Sequence, residues 1–398
     1  METLDSEDEL LCLLARTPLP ETTLPHILGL FKEPLDWDKI FSAAVLHRVL
    51  PRLYQNLKKI PEGLVPEPVL TRFRQAYFAN TARNLRFASY LGKLLQILKG
   101  KGIQAIPFKG PILAQALLGD LALRQFTDLD ILVRKKEAWP AAEELLKAGY
   151  SPEISLTASQ FHSYARRNKS LSFVGPEYGI PVDLHWDLGG DYASAPMAYD
   201  TLKARFQSTE LLGMNFLSLG AQDLFLYLCL HGAMESWSRL DHICCIAETI
   251  QKEPNVLSVE AFETATRIHL RKYFLAGCAL AESLLDCHLP VFLRAEIRRD
   301  RHISSYVHTH IRQSFRRDHS NSENTQKPKF SRDHLLLKDG SAEKVRHVLF
   351  LLFSPTIKDW RTLPLPGSLG FFLHGYRPLR LGMDAARRAM KHRARRGV

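Results

Sequence analysis

The spacing of apolar residues predicts an α+β fold, in which a small mixed-sheet core lies between two helical regions. In residues 1–100, apolar side chains recur three and four positions apart, which is typical of helices. Residues 101–212 instead hold short apolar runs bordered by glycine and proline, as buried strands and their turns do. Helical spacing returns in residues 213–398. We therefore predict an N-terminal helical region, a core of strands and helices, and a C-terminal helical domain.

Two helical patterns account for much of the N-terminal region. The first opens at Asp36 and Trp37 and is interrupted by Pro51, which cannot continue a helix interior. The second runs from Pro66 to Lys99 and is followed by glycines, which are good stop signals. We expect helices up to about residue 100.

The core begins where the pattern changes at Ile103. The turn Lys109-Gly110-Pro111 separates a strand from a helix, because proline suits the first helical turn, where its missing N–H costs nothing. The expected elements are a strand at Ile103–Phe108, a helix at Ile112–Leu118, a strand at Thr127–Val133, a helix at Glu137–Ala148 and two hairpin strands at Leu171–Val174 and Ile180–Leu188.

Helices dominate again after Gln222. The clearer ones are expected at Cys244–Ile250, Val259–Ile268 and Leu270–Leu285. Residues 316–332 are polar, with almost no large apolar side chain, so we expect a mobile loop there. The chain ends in a basic tail with one acid, Asp384; its basic residues are Arg377, Arg380, Arg387, Arg388, Lys391, Arg393, Arg395 and Arg396. Such a tail either contacts RNA or another anionic surface through phosphates, or is simply solvated.

The composition is that of an ordinary globular protein. Of 398 residues, 45% are hydrophobic and 24% are charged. No apolar run reaches the roughly 18 residues that a membrane span needs, and the acidic segment Met1–Leu11 lacks the features of a secretion signal. We expect a cytoplasmic protein without a transmembrane segment. The net charge of +11 favours phosphate-bearing partners without choosing among them.

The six cysteines lie in apolar, helix-like surroundings and include no C-x-x-C pair. A zinc site therefore has no support. Because free cysteine is commonly buried, we expect buried thiols.

Two carboxylates two positions apart mark the strand T-D-L-D-I-L-V. Side chains alternate between the faces of a strand, so Asp128 and Asp130 project to the same side. Neighbouring carboxylates repel each other and lose hydration, and a bound divalent cation removes that conflict. Mg²⁺ commonly takes one or two carboxylates together with substrate phosphates. By itself the pair is also compatible with two exposed aspartates at a strand end.

A third carboxylate lies on the later strand P-V-D-L-H-W-D-L. Asp183 would bind metal there or act as the base for an attacking hydroxyl. By strand parity His185 and Asp187 face the same side, which makes Asp187 a competitor for the same role. His185 either orients Asp183, contacts the nucleotide or is a structural histidine. Trp186 faces the other way and is expected in the core.

Phosphate contacts are expected at the turn before the first core helix. The backbone amides of such a turn and the helix dipole favour anions, and Lys109 beside Gly110 would add a positive charge. Arg124 precedes the D-x-D strand and would neutralise a developing pyrophosphate. Lys109 could equally be a solvated loop residue, and Arg124 could form a structural ion pair with Asp120 or Asp128.

The order strand, glycine turn, helix, D-x-D strand, helix and D-x-H hairpin resembles the nucleotidyltransferase core of the polymerase-beta type. Ile106–Val133 is similar to the signature block of the uncharacterised bacterial nucleotidyltransferase family, and Val182–Trp186 is similar to its third-carboxylate strand. Weaker likeness extends over other segments, namely Leu35–Tyr54, Leu228–Leu240, Leu363–Pro366 and Arg377–Arg380.

The resemblance implies Asp128 and Asp130 as ligands of Mg²⁺ or Mn²⁺, Asp183 as the third carboxylate, and Lys109 with Gly110 at the phosphates. The wider superfamily usually has a Gly-Ser turn, whose serine hydroxyl contacts phosphate. Here Pro111 follows Gly110 and has no N–H to donate. The phosphate contact must then come from other groups.

We therefore expect a transferase that moves a nucleoside monophosphate from an NTP, with ATP the first choice, to an acceptor and releases pyrophosphate. The acceptor could be a small molecule, a peptide, a protein or RNA. The alternative is a catalytically inactive nucleotide- or RNA-binding module of the same fold. His231, close to Asp241 in the C-terminal region, could either line the active-site cleft or be a core histidine bonded to Asp241.

Overall fold

Helices form most of the chain, and short strands interrupt them. The computed structural model describes residues 4–190, 197–315 and 335–396, so the loop expected at 316–332 lies outside the described residues. The described helices are α1 (Ser6–Leu14), α2 (Leu24–Leu30), α3 (Trp37–Leu46), α4 (Leu50–Leu57), α5 (Glu67–Lys99), α6 (Gly110–Leu118), α7 (Ala138–Lys147), α8 (Ala158–Tyr164), α9 (Tyr199–Leu202), α10 (Ala221–Met234), α11 (Leu240–Lys252), α12 (Val259–Arg267), α13 (Arg271–Leu285), α14 (Val291–Arg299), α15 (Arg301–Phe315), α16 (Ser341–Phe353), α17 (Ile357–Thr362) and α18 (Phe372–Arg396).

The strands are short, and they confirm the α+β class expected from the sequence. They are β1 (Ile106–Pro107), β2 (Leu129–Leu132), β3 (Ser151–Pro152), β4 (Ser170–Val174), β5 (Pro181–His185), β6 (Gln207–Leu211) and β7 (Met214–Ser218). Three of them, β1, β2 and β5, are shorter than expected. The N–H of Ile103 donates to the carbonyl oxygen of Leu98 and closes the end of α5, so it does not extend β1. After His185 the N–H groups of Trp186 and Asp187 both donate to the carbonyl of Lys169, which ends β5.

The first of two compact units comprises residues 1–96, 106–129 and 202–339. Its centre is the packing of α10, α11 and α13 against one another. Trp237 is buried there, and two glycines make room for its indole. A Cβ atom on Gly232 would lie 2.3 Å from the ring, and one on Gly277 would lie 3.1 Å from it. In the same unit, β6 and β7 form an antiparallel hairpin that packs against β1 and α6.

The second unit comprises residues 97–105, 130–201 and 340–398. Its strands are hydrogen-bonded in the order β2-β5-β4-β3, and β4 is antiparallel to both of its neighbours. The register places Ser172 opposite Asp183. Trp186 packs edge-on against Phe161 at 5.3 Å between ring centroids, and its exposed fraction is 1%. The expected core position of Trp186 is therefore confirmed.

Part of the basic tail has a structural role within the second unit. The guanidinium of Arg377 donates to Asp359 at 3.0 Å, and Arg380 binds the other carboxylate oxygen of Asp359 and also Asp384. Asp359 is fully buried, so these two arginines compensate a charge inside the α17–α18 packing. Arg377 and Arg380 therefore stabilise the fold through these hydrogen bonds. RNA contact through the rest of the basic tail stays a prediction.

The described residues also show the surroundings of the cysteines and the character of the helices. All six cysteines are free and buried, as expected. None of the helices in the described parts of the chain is both long enough and apolar enough to cross a membrane.

Candidate functional site

Three candidate residues of the second unit converge on one face of its sheet. Asp130 lies on β2, while Asp183 and His185 lie two positions apart on the neighbouring strand β5. The N–H of Val133 donates to the carbonyl of His185 at 2.9 Å and ties the two strands together. One ligating atom from each of the three side chains lies within 4.8 Å of the other two. Strand alternation had placed Asp183 and His185 on one face, and the geometry agrees with it.

Hydrogen bonds fix the orientation of these groups. The Nε2 atom of His185 lies 3.1 Å from Oδ1 of Asp130. Asp183 is half-buried, and its Oδ1 accepts a 2.5 Å hydrogen bond from the hydroxyl of Ser172 on β4. Asp130 is 2% exposed and His185 is 6% exposed. Two carboxylates are thus held at close range, and one of them is almost removed from water.

This donor set fits a divalent cation. A carboxylate that is taken out of water needs compensating positive charge, and oxygen ligands suit Mg²⁺ or Mn²⁺. An imidazole nitrogen is accepted by Mn²⁺ and later transition metals more readily than by Mg²⁺. The residues present can therefore hold a metal, and the imidazole widens the choice beyond Mg²⁺.

Asp128 belongs to the first unit and directly precedes β2. It is half-buried, and its carbonyl oxygen lies beside Gly110. Gly110 has φ of +57°, and a Cβ atom at this position would meet that oxygen at 3.2 Å. Glycine is required here both for the left-handed backbone and for the close approach. The glycine turn is thus packed directly against the backbone of Asp128, the residue that carries the first carboxylate of the D-x-D pair.

Replacing Gly110 by alanine tests this packing. A left-handed backbone costs an L-residue about 1–2 kcal/mol, and the added Cβ would also press on the carbonyl of Asp128. Gly119 is a matched control, because its φ is +65° and nothing lies within 4 Å of its Cβ position. We expect Gly110→Ala to lower the free energy of unfolding by about 2 kcal/mol or more, and Gly119→Ala by about 1 kcal/mol, measured in urea. Equal losses of stability in the two variants would show that the contact with the carbonyl of Asp128 does not constrain Gly110.

Lys109 is the residue preceding α6, and its side chain lies among aromatic rings. Its ammonium is 5.4 Å from the ring centroid of Tyr227 and 5.7 Å from that of Phe108. Such contacts hold a cation without neutralising its charge. Pro111 occupies the first turn of α6 as expected, so its missing N–H costs the helix nothing.

Arg124 lies in a buried ion cluster of the first unit. Its guanidinium donates to Asp241 at 3.2 Å, and Arg52 donates to the same carboxylate at 2.9 Å. Arg52 also binds Glu248 through two hydrogen bonds of 2.9 and 3.1 Å. Burial alone would raise the pKa of Asp241, but the charges of Arg124 and Arg52 outweigh it and hold the pKa at about 2. The structural ion pair of Arg124 is thus with Asp241, not with Asp120 or Asp128, and its contact with a nucleotide stays a prediction.

The structure also shows the contacts of Asp187 and His231, two further residues considered from the sequence. Asp187 lies beyond the end of β5, and its carboxylate accepts the N–H groups of Gly189 and Gly190 at 2.8 and 3.0 Å. It therefore closes a turn, whereas Asp183 lies in the carboxylate cluster. His231 stacks on Tyr227 at 5.7 Å between ring centroids.

Two arginines of the first unit were not among the site residues predicted from the sequence. Arg48 follows α3 with φ of +57°, and Arg239 directly precedes α11. A non-glycine residue in the left-handed region is uncommon. Nothing in the sequence around Arg48 indicates it, and only the folded backbone reveals the position.

The fold and the paired carboxylates on neighbouring strands agree with the nucleotidyltransferase class that the sequence predicts. Residues 33–286 match the model of a family described as uncharacterised nucleotidyltransferase. This match spans more than half of the chain, and the protein belongs to that family. It includes Ile106–Val133 and Val182–Trp186, the segments that carry the candidate chemistry. No curated protein matches the chain.

Two solved structures are similar to parts of the chain. The antibiotic-resistance factor ANT(2'')-Ia aligns with 52% of this chain and 100% of its own length, at 13% identity and a TM-score of 0.35. A protein of Thermotoga maritima described as a nucleotidyltransferase aligns with 43% of this chain and 93% of its own, at 18% identity and a TM-score of 0.26. Likeness at this level concerns the fold alone.

Proposed function

We propose that the protein is a metal-dependent nucleotidyltransferase, which transfers a nucleoside monophosphate from an NTP to an acceptor and releases pyrophosphate. The observation that carries the proposal is the convergence of Asp130, Asp183 and His185 within 4.8 Å on two neighbouring strands. Membership of the nucleotidyltransferase family supports it. ATP is the expected donor.

The metal would be held by Asp130 and Asp183, with Asp128 as a further ligand. When bound, Mg²⁺ or Mn²⁺ supplies positive charge that neutralises phosphate oxygens and stabilises the leaving pyrophosphate. The chain contributes the geometry. The hydroxyl of Ser172 orients Asp183, and the imidazole of His185 orients Asp130. As an alternative to binding the metal, Asp183 would accept the proton of an attacking hydroxyl.

The phosphates of the nucleotide are expected at the start of α6. Gly110 and Lys109 are the proposed contacts, and Arg124 and His185 are the further nucleotide-binding residues predicted from the sequence. Because Pro111 has no N–H, the turn offers one backbone donor fewer than a Gly-Ser turn. Lys109 directly precedes α6, and its positive charge favours this position for an anion.

Calorimetry with each NTP and either Mg²⁺ or Mn²⁺ tests the proposal. We expect the wild-type protein to bind at least one metal–NTP complex, and Asp128→Ala/Asp130→Ala to lose about 100-fold or more in affinity, because truncating ligand carboxylates removes the cation that joins protein and phosphate. Asp187→Asn is the matched control, since asparagine can still accept the turn N–H groups, and its affinity should equal the wild-type value. Absence of metal-dependent NTP binding in the wild type, together with no labelled transfer to any acceptor, would overturn the proposal.

A second candidate function rests on Pro111. The loss of one phosphate donor at this turn favours an inactive nucleotide-binding module. Binding of metal–NTP without transfer of an α-labelled phosphate to small-molecule, peptide, protein or RNA acceptors would support that candidate over the enzyme.

A further inference from the structure

Arg48 and Arg239 are brought together at the start of α11 by hydrogen bonds of the preceding turn. The N–H of Leu240 donates to Nδ1 of His47 at 3.1 Å, and the N–H of Asp241 donates to the carbonyl of His47 at 3.1 Å. His47 thus satisfies the first amides of α11. Arg48 directly follows His47, and Arg239 directly precedes Leu240. The two arginines therefore flank the contact between His47 and the start of α11.

The positive charge of the pair is not compensated within the part of the chain that the structure describes. Neither arginine forms an ion pair with a described residue, and both side chains are half-buried. The nearby carboxylate of Asp241 already accepts hydrogen bonds from Arg52 and Arg124. An arginine that is partly removed from water without a carboxylate partner is a strong binding group for an anion.

The charges around Arg48 agree with this arrangement. Burial lowers the pKa of Arg48 below its ordinary value, and the positive charge of Arg239 lowers it further. Asp241 and Asp128 act in the opposite direction, and Arg124 acts in the same direction as Arg239. The charges of Arg239 and of Asp128, the first carboxylate of the D-x-D pair, therefore both act on the guanidinium of Arg48.

Arg239 is oriented by a neutral partner. Its guanidinium donates to Nε2 of His242 at 3.0 Å. Burial holds the pKa of His242 well below its ordinary value, and the charge of Arg239 lowers it further, so this imidazole accepts a hydrogen bond without adding charge. The Nε atom of Arg239 is buried and has no hydrogen-bond partner within the described residues. A buried donor in this state is satisfied when an oxygen acceptor binds.

The backbone that carries both arginines is held in an unfavourable conformation. Arg48 has φ of +57°, and Ser236 and Trp237, in the connection before Arg239, have φ of +52° and +47°. Such residues cost on the order of 1–3 kcal/mol each and persist when their surroundings over-determine them, often at ligand-binding sites. Here the buried indole of Trp237 provides that fixation. The buried Trp237 thus restrains the connection that carries Arg239.

We propose that Arg48 and Arg239 bind the polyphosphate oxygens of the nucleotide, as a subsite separate from the turn at Gly110. The inference rests on the proposed function, in which an acceptor atom bonds to the α-phosphorus and gives up its proton to a base. The bond between the α-phosphorus and its bridging oxygen breaks, and the electron pair leaves with pyrophosphate. Guanidinium groups at that position bind the substrate's terminal phosphates and stabilise the charge that develops on the leaving oxygens. The charge of Asp128 acts on Arg48, so the subsite lies near the first carboxylate of the D-x-D pair.

Titration of tripolyphosphate without divalent metal tests the subsite apart from the carboxylates. We expect Arg48→Gln and Arg239→Gln each to weaken binding about tenfold, and the double variant about 100-fold, as for the loss of charge-assisted hydrogen bonds. Arg48→Lys should retain part of the affinity. Arg74→Gln removes an exposed arginine of α5 and should leave the affinity unchanged. Thermal unfolding of each variant checks that it is folded.

The outcomes separate this inference from the proposed function. Wild-type affinity for tripolyphosphate in the folded double variant, or no binding by the wild type, would overturn the subsite even if metal–NTP binding is found. Arginine-dependent binding of tripolyphosphate would support the subsite even if no metal-dependent NTP binding or nucleotidyl transfer is found, in which case the proposed function fails.

Discussion

Asp183→Asn is expected to slow transfer of an α-labelled nucleoside monophosphate by about 10³-fold. A carboxylate that holds a catalytic cation contributes several kcal/mol of charge stabilisation in the transition state, and about 4 kcal/mol corresponds to this factor. Asparagine keeps the size of the side chain and can still accept the hydrogen bond from Ser172. The variant therefore removes one negative charge with little change in shape. The measurement is the rate of labelled product formation with an acceptor found by screening.

Two further variants show whether the charge of Asp183 is what matters. Ser172→Ala leaves the carboxylate in place but removes its 2.5 Å hydrogen bond, so we expect a loss of about tenfold. Asp187→Asn should retain the wild-type rate, because Asp187 accepts N–H groups of a turn. If Asp187→Asn loses as much activity as Asp183→Asn, the assignment of Asp183 as the third carboxylate is contradicted.

The convergence of Asp130, Asp183 and His185 could be predicted because strand alternation is a local property, whereas Asp128 lies before β2 and outside that cluster. Asp183 and His185 share a face whatever the rest of the chain does, and the order of elements brings their strand beside β2. The same rule misjudged Asp187. It assumed a strand up to Leu188, whereas the chain turns after His185 and uses Asp187 to close that turn.

The buried ion cluster could not be predicted in the same way. Arg124 and Asp241 are 117 positions apart in the chain, and Arg52 and Glu248 are 196 apart. No periodic pattern links residues at such separations, so pairing Arg124 with nearby Asp120 or Asp128 was the natural interpretation of the sequence. The left-handed backbone at Arg48 could not be predicted either, because the neighbouring His47 contacts α11, which lies far away in the sequence.

Replacement of Arg52 by methionine is expected to lower the free energy of unfolding by about 3–5 kcal/mol, because it leaves Glu248 and part of the charge of Asp241 buried without a partner. Arg52 is fully buried between α4 and α11, and methionine fills similar space without the guanidinium. Urea unfolding followed by circular dichroism measures the loss. Arg299→Met is the control, since 77% of the Arg299 side chain is exposed and its ion pair with Glu296 is expected to contribute less than about 1 kcal/mol.

The pH dependence of the free energy of unfolding tests whether the loss in Arg52→Met comes from buried charge. The pKa of Asp241 is about 2 in the folded chain, against 3.8 for an ordinary aspartate. Its ionised form therefore stabilises the fold fully above pH 3.8, and that contribution is lost as the pH falls through about 2. In Arg52→Met, Asp241 retains Arg124 alone and its folded pKa rises, so the part of the loss that comes from Asp241 should shrink between pH 4 and 2. Burial already raises the pKa of Glu248, and losing Arg52 raises it further, so the part that comes from Glu248 should shrink at higher pH, as that carboxylate is protonated.

The double variant Arg52→Met/Glu248→Leu distinguishes lost charge compensation from lost packing. Removing both partners leaves no orphaned glutamate, so we expect it to recover part of the stability that Arg52→Met loses. If the double variant is instead less stable than the single one, packing at this position outweighs charge compensation. The cluster also fixes α4 to α11, and α4 begins just after Arg48. A loosened α4 should therefore weaken tripolyphosphate binding in Arg52→Met even under conditions where the variant remains folded.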